Sequence, residues 1–220
     1  MYIQKSATLA GRPVLIQVVV PPEYGIAQVR GFYRPIGGSS YTHQLMQQQG
    51  NIFRMWVPAN VTTNGIEYYI QAEDSSGNVR ATLPEANPSS QPFSLPAVSI
   101  LQQVVRSDAS NIFELAVGLT FEIPAGALTQ DTTLLVTPLT NTIAPPPGIV
   151  PTTVGYNFAM ADGTDTFSQP ISISFSYGPS DVVGLDPTQL RIYYLDDGVV
   201  KLAGGDVNTS TQSVEVGVDH

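Results

Sequence analysis

Few residues in this chain could do covalent chemistry. A serine nucleophile needs a histidine to take its proton. The 220 residues hold two histidines, His43 and His220, no cysteine and no Gly-x-Ser-x-Gly elbow. Zinc takes three or four His, Cys or carboxylate ligands, and two isolated histidines are too few. No catalytic residue and no metal site is therefore assigned. Carboxylates on tight turns suit a hard cation better, and Asp162-Gly-Thr-Asp165 and Asp196-Asp197-Gly198 make Asp162, Asp165, Asp196 and Asp197 candidates for calcium. Neither stretch has the twelve-residue loop between helices, and Asp-Gly is also a favoured hairpin turn, which is the preferred reading. Apart from that calcium option, no cofactor is expected. Sugar recognition by stacking needs an outward aromatic ring, for which Trp56, Tyr41 and Tyr193 are the candidates, with Phe32, Tyr33 and Tyr194 beside them. Neighbouring aromatics on a strand point to opposite faces, and the commoner role of an outward tyrosine is to pack against its cross-strand partner.

These groups must be positioned by strands. Leu119, Phe121 and Ile123 alternate with Thr120 and Glu122, the period of a strand with one buried face. Pro124 cannot donate to a ladder and stops it. After Ala125-Gly126-Ala127, an extended run resumes over 132–139. Ile171, Ile173, Phe175 and Tyr177 alternate with Ser172, Ser174 and Ser176. The first half reads the same way: strands over 14–20, 26–34, 41–46, 52–57, 66–73 and 79–83, broken by Pro21-Pro22, Gly37-Gly38, Gly50-Asn51, Pro58 and Asp74-Ser-Ser-Gly-Asn78. Turns arrive roughly every 8–12 residues, the spacing of an all-β sandwich. Segment 100–105 reads as a further strand, Asp197-Gly198 as a hairpin turn, and Asn141–Val154 is too proline-rich for regular structure.

Composition agrees. Charged residues are only 12% of the chain, and the formal net charge is −9. Met1 to Ala97 carries six basic and five acidic residues, a net +1, whereas Val98 onward carries three against thirteen, a net −10. This asymmetry predicts two domains of different surface character. An acidic second domain would repel phosphate, so no nucleic-acid partner is expected. No apolar run of 18 residues exists, so no membrane insertion is expected. Met1-Tyr-Ile-Gln-Lys has no apolar signal core, and the expectation is a monomeric fragment of a longer exported protein whose signal peptide lies elsewhere.

Two resemblances refine the picture. FEIPAGAL with DTTLLVTPL (Phe121–Leu139), and the later FSQPISISF (Phe167–Phe175), resemble the ZU-five family, a β-sandwich of partner-binding and, in some members, self-cleaving domains. GIEYYIQAEDSSGNVRATLP (Gly65–Pro84) and the preceding GFYRPIGGSSYTHQLMQQQGNIFRMWVPA resemble bacterial immunoglobulin-like or fibronectin type III-like modules. That second resemblance implies a core tyrosine on the penultimate strand, Tyr68 or Tyr69. The expectation is an all-β chain of two consecutive antiparallel β-sandwiches. Residues 1–97 form the immunoglobulin-like domain, 98–106 a linker or first strand, and 107–220 the ZU-five-like domain.

The function expected is non-catalytic: an extracellular or cell-surface spacer and adhesion unit of a larger bacterial protein, with a protein or surface polymer as partner. Two alternatives stand beside it. One is a carbohydrate-binding module. The other is self-processing, because the self-cleaving relatives cut after a His-Phe step and this chain ends on Val218-Asp219-His220.

Overall fold

The structure is a computed structural model that describes residues 5–139, 145–151, 155–196 and 198–219. Among these the chain is all-β, with 3-10 turns as its sole helical pieces. It divides into two compact units, Met1–Ser99 and Ile100–His220.

Among the described residues the first unit has nine strands: β1 (Thr8–Leu9), β2 (Val14–Val19), β3 (Gln28–Pro35), β4 (Thr42–Leu45), β5 (Gln47–Gln49), β6 (Ile52–Val57), β7 (Gly65–Glu73), β8 (Val79–Leu83) and β9 (Phe93–Val98). One sheet runs β1-β9-β7-β3-β4, with β8 also on β7; the other runs β2-β6-β5. All pairs are antiparallel except β1 with β9. The expected strand over 41–46 is β4, and a further short strand, β5, follows it at once. Strand β4 pairs with β3 and β5 pairs with β6, so the chain changes sheets at Met46, whose side chain is buried. The alternation read from the sequence places Val29, Gly31 and Tyr33 of β3 and Ile66, Tyr68 and Ile70 of β7 on one buried face. Phe53, Met55 and Val57 of β6 are buried likewise. The two sheets meet closely at Gly31, where a Cβ would lie 1.9 Å from the Met55 sulfur.

Among the described residues the second unit has ten strands: β10 (Leu101–Val105), β11 (Asn111–Glu114), β12 (Leu119–Ile123), β13 (Thr132–Pro138), β14 (Tyr156–Met160), β15 (Ile171–Ser176), β16 (Ile192–Asp196), β17 (Val199–Gly204), β18 (Asp206–Asn208) and β19 (Ser213–Val218). They form the sheets β10-β13-β14 and β11-β12-β15-β19-β18 and the hairpin β16-β17. Strand β10, which the sequence left as linker or strand, pairs with β13 through five residues. The motif FEIPAGAL does not make a hairpin: β12 and β13, on either side of it, lie in different sheets, so its turn is a crossover. Its echo is the direct neighbour, with β15 pairing β12 from Leu119↔Phe175 to Glu122↔Ser172. The sheets meet where the Phe158 ring of β14 packs edge-on against Phe121 of β12 at 5.0 Å and against Phe175 of β15 at 6.3 Å.

Five strands escaped the sequence reading. β1, β5, β11 and β18 have two to four residues, too few to show a period. Strand β14 does alternate, Tyr156, Phe158 and Met160 against Asn157 and Ala159, but it follows the proline-rich stretch and was passed over with it. Of that stretch, 145–151 is described and contains no strand.

Two substitutions test these contacts. Gly65 opens β7 at φ +88°, and a Cβ there would lie 2.5 Å from the Leu95 carbonyl oxygen. Gly65→Ala adds a backbone clash to left-handed strain, so chemical denaturation is expected to show a loss above about 3 kcal/mol. Phe121 is fully buried; Phe121→Ala is expected to cost about 3–5 kcal/mol and to broaden the side-chain signals of the second unit.

Candidate functional site

The outward face of β3 and β7 carries Phe32, with Tyr41 packed beside it, whereas the neighbouring candidate Tyr33 lies on the buried face. Phe32 and Tyr69 face each other across the strand pair and stack at 4.4 Å between ring centroids, nearly parallel. His43, the cross-strand partner of Phe32 on β4, sits 5.5 Å from it. Tyr41 meets Tyr69 edge-on at 4.9 Å and receives the Arg34 guanidinium over its ring at 4.3 Å, while Arg34 is itself held by Glu67 at 2.7 Å. Tyr69 stands where the partner along that edge of β7 changes from β9 to β8, and the connection between those strands returns over it: the Tyr41 hydroxyl donates to the Ser89 carbonyl at 3.2 Å. Tyr69 is thus only 8% exposed although it points away from the core face. The row is packed on itself.

Trp56 is elsewhere. It lies half-buried on β6, opposite Leu15 of β2, in the other sheet, with its carbonyl accepting from the Gln44 side chain. Tyr193 is half-buried on the hairpin of the second unit, paired with Leu202. The structure therefore does not gather Trp56 and Tyr41 into one platform. Of the tyrosine pair on β7, Tyr68 is 1% exposed and packs 5.5 Å from Phe93, while Tyr69 joins the outward row.

The acidic candidates separate as well. The Asp162 carboxylate accepts from the Gln130 side chain at 3.1 Å and from the Thr164 amide at 3.1 Å, and the Gln130 bond foremost lowers its pKa to about 2. Asp165 is exposed nearby. Asp196 pairs with Lys201 across the β16-β17 turn, which raises the lysine's pKa. Asp197 and His220 lie outside the described residues. Among the described residues no three His, Asp or Glu side chains gather as a metal would need.

A concave place forms among the described residues, and the sequence reading did not assign it. Loop 124–131 after β12 and loop 161–170 before β15 enclose an open hollow of about 330 Å³ lined by Ala127, Thr129, Thr164, Thr166, Phe167 and Ser168. Its walls are tied together. The Ser168 amide donates to the Ala127 carbonyl at 2.9 Å, the Gln169 side chain to the Ala125 carbonyl at 3.1 Å, and Gln130 reaches Asp162 across the gap. Behind it, the Gly126 amide donates to the Ser107 carbonyl at 2.7 Å, while Ser107 donates through its amide and hydroxyl to Asp131. The Phe167 amide donates to the Asp219 carbonyl at 3.0 Å, so the C-terminal strand runs past the same loops. The available signal was the repetition of Thr and Ser around two turns, which reads equally as solvated loop. Comparison with protein-family models and with curated protein sequences finds no match to this chain.

Two outcomes follow. Tyr69→Ala is expected to cost several kcal/mol, about 3–5, as a core aromatic would, whereas Tyr41→Phe removes one hydrogen bond and is expected to cost about 1 kcal/mol. Asp162 has a depressed pKa, so its contribution is complete above the unfolded value of about 3.9 and disappears as pH falls through about 2. Asp162→Asn should therefore melt below the native protein at pH 7, with the gap narrowing toward pH 2 in a series of thermal melts.

Proposed function

We propose that this chain is a non-catalytic pair of β-sandwiches, an immunoglobulin- or fibronectin type III-like module followed by a ZU-five-like one, that serves as spacer and protein-interaction unit of a larger exported bacterial protein. The observation that carries this reading is how the polar and aromatic groups are employed. Arg34, Glu67, Tyr41 and Tyr69 lock one sheet face to its covering loop. Asp74 closes the β7-β8 turn by accepting from the Ser76 and Asn78 amides and from Arg80. Asp162, Asp131 and Asp186 brace loops of the second unit. Groups spent on holding turns favour a mechanical role over a reactive one. Support for two sandwiches comes from the change of sheet at Met46, the close approach of Met55 to Gly31, and the packing of Phe158 on Phe121 and Phe175.

The test has two arms on the full-length protein in its own cells. A membrane-impermeant amine reagent applied to intact cells is expected to label it; labelling only after lysis would sink the surface assignment. Intact-mass measurement is expected to show an uncut chain through position 220, whereas a break immediately beyond His220 would replace the spacer reading with self-processing.

A further inference from the structure

The hollow between loops 124–131 and 161–170 has no part in a spacer's work. We propose that it binds a neutral saccharide of one or two rings, at a place distinct from Trp56, Tyr41 and Tyr193.

Size, lining and charge point the same way. At about 330 Å³ the hollow lies at the small end of ligand sites, which run from about 300 to 1,000 Å³. Thr129, Thr164, Thr166 and Ser168, four hydroxyl-bearing residues, line it together with Phe167 and Ala127. The Thr164 hydroxyl donates to Asp162, and each hydroxyl can both donate and accept. Alternating hydroxyls and C–H faces are what a pyranose ring presents, and a lining of hydroxyl-bearing and apolar residues is suited to both. The charge of the same loops narrows the class. Asp131, Asp162 and Asp165 are exposed there, in a half of the chain with net charge −10. Phosphorylated or carboxylated ligands are repelled. A bare cation finds no cluster of three acids among the described residues, and both Asp162 oxygens already accept hydrogen bonds.

The walls stand ready before any ligand arrives. Ser168 to Ala127, Gln169 to Ala125, Gln130 to Asp162 and Phe167 to Asp219 pin both loops to each other and to the final strand. Binding then spends little on ordering loops, which lets a small contact area yield measurable affinity.

The experiment is an NMR titration of the whole chain with methyl glucoside, methyl galactoside and N-acetylglucosamine, then with a disaccharide of each, with inorganic phosphate, calcium and glycerol as controls. At least one saccharide is expected to give saturating amide shifts confined to residues 127–130 and 162–168, and tighter binding of the disaccharide would identify a polymer rather than a free sugar as the source. The variant Thr129→Val/Thr166→Val keeps shape but removes two hydroxyls, and should weaken binding at least about tenfold while the melting temperature holds. Ser168→Ala provides the same reading if that variant unfolds. No saturating shift with any saccharide, an equal response to glycerol or phosphate, or undiminished binding in folded variants would overturn the proposal. Neither result bears on cell-surface labelling or chain integrity, so the spacer reading stands or falls separately.

Discussion

The packing of Phe158 against Phe121 and Phe175 is the constraint on which the second unit depends. The chain has no cysteine and few charges, so neither disulfides nor dense ion-pair networks hold it. Apolar burial must do so, and it is greatest where aromatic rings from two sheets meet. Joining those sheets at the phenylalanines obliges the chain to cross from β12 to β13 instead of turning back. The proline after Ile123 ends one ladder, Gly126 at φ +78° turns the backbone, and the crossing loop is left standing beside the loop that precedes β15. The hollow is a by-product of that crossing. Its hydroxyls are brought together because two strands that share a motif must lie in separate sheets.

In the first unit the corresponding constraint is a pair of faces on one sheet. The inner face is apolar, with Tyr33 and Tyr68 among aliphatic side chains, and closes on Met55. The outer face carries charges and rings, and each buried group there has a partner. Glu73, 8% exposed, accepts from Gln28 at 2.5 Å and from Arg30 at 3.0 Å. A carboxylate at that depth is tolerable because its charge is met by hydrogen bonds. The aromatic row four residues back along β7 is covered in another way: the β8-β9 connection is latched to it through Tyr41. A strand face that alternation alone would assign to solvent is thereby partly sealed.

How far the sequence could be read follows from these two arrangements. The long strands were legible because one-sided burial imprints a period of two, as Leu119–Ile123, Ile171–Ser176 and Ile52–Val57 show. The Asp162 stretch was legible as a turn, since a carboxylate that accepts a neighbouring amide does so within a few residues. Short edge strands such as β1, β11 and β18 left no period to read. The sheet change at Met46 left none either, because β4 and β5 are short and follow each other with only Met46 between them.

By itself, then, the sequence determined the class of the molecule: an all-β chain, an acidic half behind a nearly neutral one, and the positions at which strands stop. Each is a local property, written in alternation, in prolines and glycines, or in charge. Only tertiary structure decided which strands pair, that FEIPAGAL crosses between sheets, that Tyr69 is covered, and that four hydroxyl-bearing residues from two loops line one hollow. Those facts depend on residues tens of positions apart, up to 56 between Leu119 and Phe175, and nothing in a strand's own periodicity specifies its partner across that distance.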